Sequence, residues 1–466
     1  CKDAMTTASS TATTQASGER QPHLAYIAWG FPPSRSGGTY RQLATANAFA
    51  RAGWRVTVIT VERAVFTQIT GADTSLEAQV DPAISVIRTR FPWPLRNPHR
   101  STWSPFHKAL PRVWHKARVA FELALFPEVH YATWLRTLRQ ALNRLQRQHP
   151  VDLVLASGNP FVAFAAARRF GRRHHVPYVL DYRDSWLLDQ FTGQQRYADQ
   201  DRRARLERQL VSDAAQVWFV NQGTLEWHAA RYPAAAARMR VVANGWDPEF
   251  LAALEQASPP AADHPLTFGY LGTISTKVPM AELVAGWRLA KADGRLPATA
   301  RLVVAGYLGY FGGQPDRNAE PVAALLEDAA ADGVEFVGPV PKGQVGAFYA
   351  SLDVLVLAID AGRYVTTGKV FEYVATGKPV VSVHPPEAAA ADVLRGYPLW
   401  APVDQLTAPA VAAALAQAAG LAREITPQQA AAARDHAARF RRDRQLAPAI
   451  TELTALVKGE AAPPGN

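Results

Sequence analysis

Short runs of consecutive apolar residues recur along the chain, and between them lie segments whose apolar positions repeat every three to four residues. The first pattern predicts strands buried on both faces, the second amphipathic helices. Residues 1–20 are rich in Thr, Ser and Ala without periodicity and predict a disordered tail. LAYIAWG then reads as a strand, FPPSRSGG as a loop, TYRQLATANAFARAG as a helix and WRVTVIT as the next strand. ISVIRTR adds a short strand. After a helix over 131–148, the alternation continues through VDLVLAS, a helix over 162–174, the strand-ending VPYVLDYRDSW and a charged helical stretch over 194–213. AQVWFVN, a helix over 224–231 and MRVVANGWD close the first half, with Asn244-Gly245 as a turn.

The pattern then restarts. LTFGYLG, the loop TISTKVPM, a helix over 281–291, ARLVVAG, a helix over 320–331, VEFVGPV, a helix over 342–351 and LDVLVLAI lead to TTGKVFEYVATGKPVVS at 366–382. Residues 428–457 read as a helix broken near Pro448, packing back towards the first half, and 458–466 as a frayed end. Two successive strand–helix alternations predict an α/β protein of two doubly wound, Rossmann-like domains, 21–257 and 258–427, facing a central cleft. The linker is placed at the Pro/Ala-rich SPPA of 258–261.

Composition narrows the class. The 466 residues are 48% hydrophobic and 19% charged, as in a globular protein with a large core. No stretch reads as a secretory signal or membrane span. The single cysteine, residue 1, excludes an internal disulfide and fits a reducing compartment, so the expected location is cytoplasmic. Met5 reads as a natural start. A net charge of +10 favours an acidic partner.

The 366–382 stretch carries the sharpest candidate chemistry. A short helix is expected from about Lys369, after a strand, with Gly377 to stop it. A lysine in a first turn opposes the helix dipole by about 0.3–1 kcal/mol, and a bound anion reverses that sign. Gly368 allows close backbone approach, Thr366 and Thr367 can donate, and Glu372 can accept from a hydroxyl pair such as a ribose. A Thr-capped surface Lys–Glu pair is the other reading of the same residues. The first loop places Gly37 and Gly38 at a helix start, without the G-x-G-x-x-G of a dinucleotide site; a loop that merely needs glycine is the alternative. A strand ends in Asp181-Tyr182-Arg183-Asp184, whose charges are expected to face the cleft; an Arg183–Asp184 pair holding the loop is the alternative.

Residues 82–121 contain no Asp or Glu, eight Lys or Arg, and Phe91, Trp93, Trp103, Phe106, Trp114 and Phe121. Basic residues mixed with Trp and Phe suit an anionic membrane surface or a single-stranded nucleic acid. A long loop folding its aromatics into the core would have the same composition.

Taken in order, GFPPSRSGG, VPYVLDYRDSW, VVANGWD, LTFGYLGTIS and TTGKVFEYVATGKPVV resemble the retaining, nucleotide-sugar-dependent glycosyltransferases of the GT-B fold, family four, over nearly all of 23–450. The resemblance implies an acceptor-side first domain and a nucleotide-sugar-binding second domain. It implies that Gly37 and Gly38 lie at the diphosphate and acceptor, that Lys277 contacts phosphate, and that Thr367, Gly368 and Lys369 hold the diphosphate. Glu372 would take the ribose, and Val340 and Pro341 would flank the base. Asn244, Gly272, Thr273 and Gly306 complete the implied donor site, with Arg183, Asp184, Lys277 and Lys369 as the catalytic candidates. Transfer is expected with retention, without an enzyme nucleophile and without a cofactor. The expected partners are the donor and a glycan or lipid-linked acceptor, with peripheral contact at the inner membrane face through 82–121 and no nucleic acid.

Two departures matter. Of the family's two glutamates, Glu372 matches the second, but Tyr364 stands at the first. The one D-x-D, Asp199-Gln200-Asp201, lies in the charged stretch expected to be helical rather than after a strand, so no metal site is expected. A sugar-nucleotide epimerase of the same fold, a basic nucleic-acid-binding protein and a non-catalytic partner subunit remain as rivals.

Overall fold

The computed structural model describes residues 20–91, 100–249, 254, 256, 263–309 and 320–460. The first sheet holds β1 (His23–Ile27), β2 (Arg55–Val61), β3 (Ser85–Thr89), β4 (Leu153–Gly158), β5 (Tyr178–Tyr182), β6 (Gln216–Phe219) and β7 (Met239–Val241). All pair in parallel, in the order β3-β2-β1-β4-β5-β6-β7. The second sheet holds β8 (Thr267–Leu271), β9 (Arg301–Ala305), β10 (Val334–Gly338), β11 (Val354–Ala358), β12 (Val380–Val383) and β13 (Trp400–Pro402), in the parallel order β10-β9-β8-β11-β12-β13. In each sheet the order reverses beside its own first strand. That reversal opens a crevice at the carboxyl ends of the strands, where ligands of doubly wound folds bind.

The apolar runs follow from two-sided burial. Leu24 and Tyr26 of β1 face one cluster, with Phe49, Trp54 and Val58, while Ala25 and Ile27 face another, with Ile59, Phe164 and Leu180. The second sheet repeats this: Val354 and Val356 point to one side, Leu355 and Leu357 to the other.

The C-terminal segment differs from its expectation. It forms two helices, Pro427–Ala438 and Arg442–Lys458, and the break falls between them while Pro448 stays inside the second. The first helix packs Ala433 and Ala437 into the second domain. The last helix buries Leu446, Ile450 and Leu453 beside Phe49 and Trp54 of the first domain. Each such side chain contributes about 1.5–3 kcal/mol on burial. Trp54 Nε1 donates to Thr454 Oγ1 at 3.0 Å and Gln216 Nε2 to Glu452 Oε2 at 2.7 Å. The chain therefore crosses between the domains twice. The crossings touch: Trp246 N donates to Phe440 O (3.0 Å) and Arg442 N to Trp246 O (2.9 Å). The tail of 1–19, the SPPA stretch, Trp93, Arg96 and residues 461–466 lie outside the described residues.

One further expectation needs correction, and the 82–121 segment divides between its two readings. Asp199 and Asp201 precede a helix rather than lying in one: Asp201 caps Arg202–Asp213, and Asp199 pairs with Arg231. Part of 82–121 is helical, as Pro105–Ala109 and Pro111–Leu125, because Pro105 and Pro111 suit a first helical turn. Phe91 is core, edge-on to Trp29 at 6.1 Å.

Asp181, the first of the DYRD charges, does not face solvent. It is fully buried and paired with Arg41 of the Gly37–Arg51 helix, Nη2 to Oδ1 at 2.6 Å. Arg41 Nη1 also donates to Val242 O at 2.7 Å. A buried pair broken on one side leaves an uncompensated charge, so Arg41→Ala is expected to lower unfolding stability by about 3–5 kcal/mol. Urea denaturation followed by circular dichroism measures this, and a loss below about 1 kcal/mol would contradict it.

Candidate functional site

The loop after β11 and the helix Lys369–Ala375 form the second-domain wall of the site. Val370, Phe371, Tyr373 and Val374 are buried and hold the helix against the sheet. Gly377, at φ 68°, ends it in the left-handed turn that glycine adopts without strain. Ahead of the helix, Lys369 N donates to Thr367 Oγ1 at 3.4 Å.

Lys369 reaches across to the loop after β8. Its ammonium lies 2.8 Å from where a Cβ on Gly272 would stand, and the Tyr270 hydroxyl is 2.6 Å from the same point. Gly306, at φ 139°, presses on this loop so closely that its own Cβ would fall 1.6 Å from Gly272 O. Only backbone fits here, so Gly272, Gly306 and Lys369 come together. Thr273 follows directly, its carbonyl accepting from Tyr270 Oη at 3.3 Å.

Glu372 is oriented by Tyr349, whose hydroxyl donates to Oε2 at 3.0 Å. Burial, reinforced by the Glu372 charge, holds that hydroxyl protonated well above the ordinary tyrosine range. The helix carrying Tyr349, Val345–Ala350, is closed by Lys378, whose ammonium donates to Tyr349 O (2.9 Å), Ala350 O (2.8 Å) and Leu352 O. Burial pulls that ammonium down to about 8.

A cleft of about 680 Å³ joins the two domains and brings Gly37 and Asn244 together with Gly368 and Glu372. Its volume lies within the ordinary range for small-molecule sites. Gly343, Val345 and Gly346 line it beside Glu372; Val340 and Pro341 stand just outside, with Pro341 O accepting from Gln344 N at 2.8 Å. On the first-domain side, a Cβ on Gly38 would fall 1.7 Å from Arg183 Nη1, so this glycine makes room for the guanidinium. Arg183 Nη2 donates to Asp184 Oδ2 at 2.7 Å, the loop-holding pair. The Lys277 ammonium lies 5.1 Å over the Phe191 ring of the first domain. Among the described residues, no three His, Cys, Asp or Glu side chains converge in a metal-binding group.

Sequence reasoning missed a clasp between the domains. Tyr364 O accepts from Asn221 Nδ2 (3.1 Å), Gln190 Nε2 (3.2 Å) and Thr224 Oγ1 (3.4 Å), all on the first domain. Asn221 also donates to Thr366 Oγ1 at 3.2 Å, next to the Thr367–Lys369 turn. Arg363 pairs with Glu226, and the Tyr364 ring rests on Gly193. The one local signal was Asn221 as the cap of the Gln222–Arg231 helix, accepting from Thr224 N at 2.8 Å. Its second role spans more than 140 residues of sequence and has no periodic signature.

Two parallel-sheet domains facing such a cleft define the GT-B class. The sequence matches the Glycosyl transferase 4-like domain over residues 36–245 and the Glycosyl transferases group 1 domain over 265–420. The chain belongs to the family-four-like glycosyltransferases of the GT-B fold and is a glycosyltransferase. Sucrose-phosphate synthase from Thermosynechococcus elongatus superposes with a TM-score of 0.61 at 17% identity, covering 94% of this chain and 100% of that one. Anabaena HepE, solved in complex with UDP-glucose, gives 0.55 at 15% identity, covering 94% and 99%. An E. coli structure described as trehalose-6-phosphate, bound with UDP-2-fluoro glucose, gives 0.60 at 12% identity, covering 92% and 98%. No curated protein matches the sequence.

The clasp requires close approach at Gly223, where a Cβ would fall 2.3 Å from Arg363 O. Gly223→Ala is expected to part the domains and raise the radius of gyration in small-angle scattering. Gly37→Ala, with nothing within 4 Å of its Cβ, serves as the control and should leave it unchanged. Equal radii for both variants would contradict the clasp.

Proposed function

We propose that the chain transfers a sugar from a nucleotide-diphosphate sugar to a glycan, glycolipid or other cell-surface or secondary-metabolite acceptor, with retention of configuration and without a metal ion. The observation that carries this reading is that one short helix brings the Lys369 ammonium to the bare backbone at Gly272 and sets a Tyr349-oriented Glu372 on the cleft lining. A diphosphate needs fixed positive charge and a ribose needs a carboxylate acceptor; Lys369 and Glu372 supply the two. That two solved structures of the same fold hold UDP-glucose or its fluoro analogue supports the donor class.

In this reading Lys369, with Thr367 and Gly368, holds the diphosphate, while Glu372 accepts from the ribose hydroxyls. As the bond from the sugar's anomeric carbon to the phosphate oxygen breaks, negative charge grows on the leaving diphosphate. The Lys369 ammonium is already in place to stabilise it. The acceptor oxygen bonds the same carbon from the same face, and its proton passes to the leaving phosphate oxygen. Arg183, projecting past Gly38, supplies a second cation from the acceptor domain, and Asp184 orients it. Lys277 is the phosphate contact on the loop after β8. Val340 and Pro341 flank the base in this reading, next to the cleft-lining Gly343 and Val345.

No helix among the described residues is long and apolar enough to cross a membrane. The reading is of a cytoplasmic enzyme whose lipid-linked acceptor is met at the inner membrane face.

Lys369→Ala and Glu372→Ala are each expected to weaken nucleotide-sugar binding by about 1.5–3 kcal/mol, the value of a charge-assisted hydrogen bond, with the fold intact. A thermal-shift screen of nucleotide sugars followed by titration calorimetry measures this. Unchanged affinity in both variants would leave the stretch as a surface pair. Transfer should persist in excess chelator, with the anomer of the product read by NMR; activity lost to chelator and restored by magnesium or manganese would overturn the metal-independent reading.

A further inference from the structure

The helix Pro111–Leu125 stands out from the first domain with an apolar face turned to solvent. Leu110, Val113, Ala117, Phe121 and Leu125 follow one another at intervals of three or four residues, so they share one side of the helix. Leu110, Val113, Phe121 and Leu125 are each about half exposed, as is Phe106 on the short helix before it. The helix is fastened by another side. Glu122 is fully buried and accepts from Arg118 Nε (3.0 Å) and His130 N (2.8 Å), while Arg202 Nη1 donates to Leu123 O at 2.6 Å. The exposed stripe is thus held outward by polar contacts; the Arg118 guanidinium lies 5.3 Å over the Phe121 ring, which stays about half exposed.

The surroundings of the stripe are cationic and aromatic. Arg100, Lys108, Arg112 and Lys116 are exposed around it, and no acidic residue occurs between 82 and 121. Trp103, His107 and Trp114 form a three-ring stack with centroids 3.7 Å apart. A rigid aromatic block, an apolar helix face and a one-sign border of charge complement a bilayer with anionic headgroups: the face enters the acyl boundary, the tryptophans sit at headgroup depth and the cations meet the lipid phosphates. Burial against a second copy would set two such positive borders against each other.

We propose that the Phe106–Leu125 hairpin docks the first domain on an anionic lipid surface through Leu110, Val113, Phe121 and Leu125. This inference is independent of the transfer chemistry, since none of these residues lines the cleft. It makes the protein a peripheral, salt-sensitive membrane binder.

The test is co-sedimentation of the full chain with vesicles of phosphatidylcholine alone, and of equal parts phosphatidylcholine and phosphatidylglycerol. Wild type is expected to bind the mixed vesicles, to stay in solution with the neutral ones, and to be released by salt. Arg112→Ser and Lys116→Ser should each weaken binding about fivefold, which corresponds to about 1 kcal/mol per surface charge. Leu110→Ser with Phe121→Ser should abolish it. The thermal shift with nucleotide sugar is read in every variant; an unchanged shift shows that the fold and donor site survive, so the two readings fail separately. Binding to neither vesicle type, or equal binding by the Leu110→Ser/Phe121→Ser variant, would overturn the proposal. So would a concentration-dependent dimer that the same double variant abolishes while vesicles go unbound, because it would assign the face to a second copy.

Discussion

Two backbone hydrogen bonds, Trp246 N to Phe440 O and Arg442 N to Trp246 O, hold the two interdomain crossings of the chain side by side. Each contributes only about 1 kcal/mol net, but their position gives them wide reach. The outgoing crossing carries Asn244 and Trp246, and the returning one leads into the helix that completes the first domain's core. Gly245 makes the contact feasible: at φ 64°, it lets Phe440 O come within 2.7 Å of where a Cβ would stand. Arg442 Nε adds a pair to Asp247 at 2.8 Å. Domain placement, and with it the shape of the cleft, is referred to this crossing point together with the Tyr364 clasp.

The cleft then divides its tasks by side-chain size as much as by charge. At Gly38, Gly223, Gly272 and Gly306 the absence of a Cβ lets a guanidinium, a carbonyl, an ammonium or another backbone occupy the space. Charge is placed into these gaps: Arg183 at Gly38 and Lys369 at Gly272. Tyr364 offers its carbonyl to three first-domain donors and lays its ring on Gly193. The position therefore binds domain to domain here. The same loop runs straight into Thr366–Lys369, which couples domain contact to the geometry of that turn.

Much was legible in the sequence because it depends on local pattern. Parallel strands buried on both faces must be apolar at every position, so β1, β4, β11 and β12 announced themselves, and the alternation with amphipathic helices implied two doubly wound domains. The turn before Lys369, the stop at Gly377 and the placement of Gly37, Asn244, Gly368 and Glu372 beside strand ends were readable for the same reason. What tertiary structure alone decided was which distant residues meet. Asp181 looks like a cleft charge in sequence but is buried, because Arg41, 140 residues earlier, arrives to neutralise it. Phe91 and Phe106 look alike in sequence, yet one is core and the other surface, according to whether Trp29 and Tyr131 surround it. Asn221, a helix cap by local rule, gains its interdomain contact only when Tyr364 is delivered to it. Periodicity and turn chemistry are properties of neighbours along the chain and determine elements; pairing of charges, close approach at glycine and the exposure of an apolar face are properties of neighbours in space, and only the packed domains determine those.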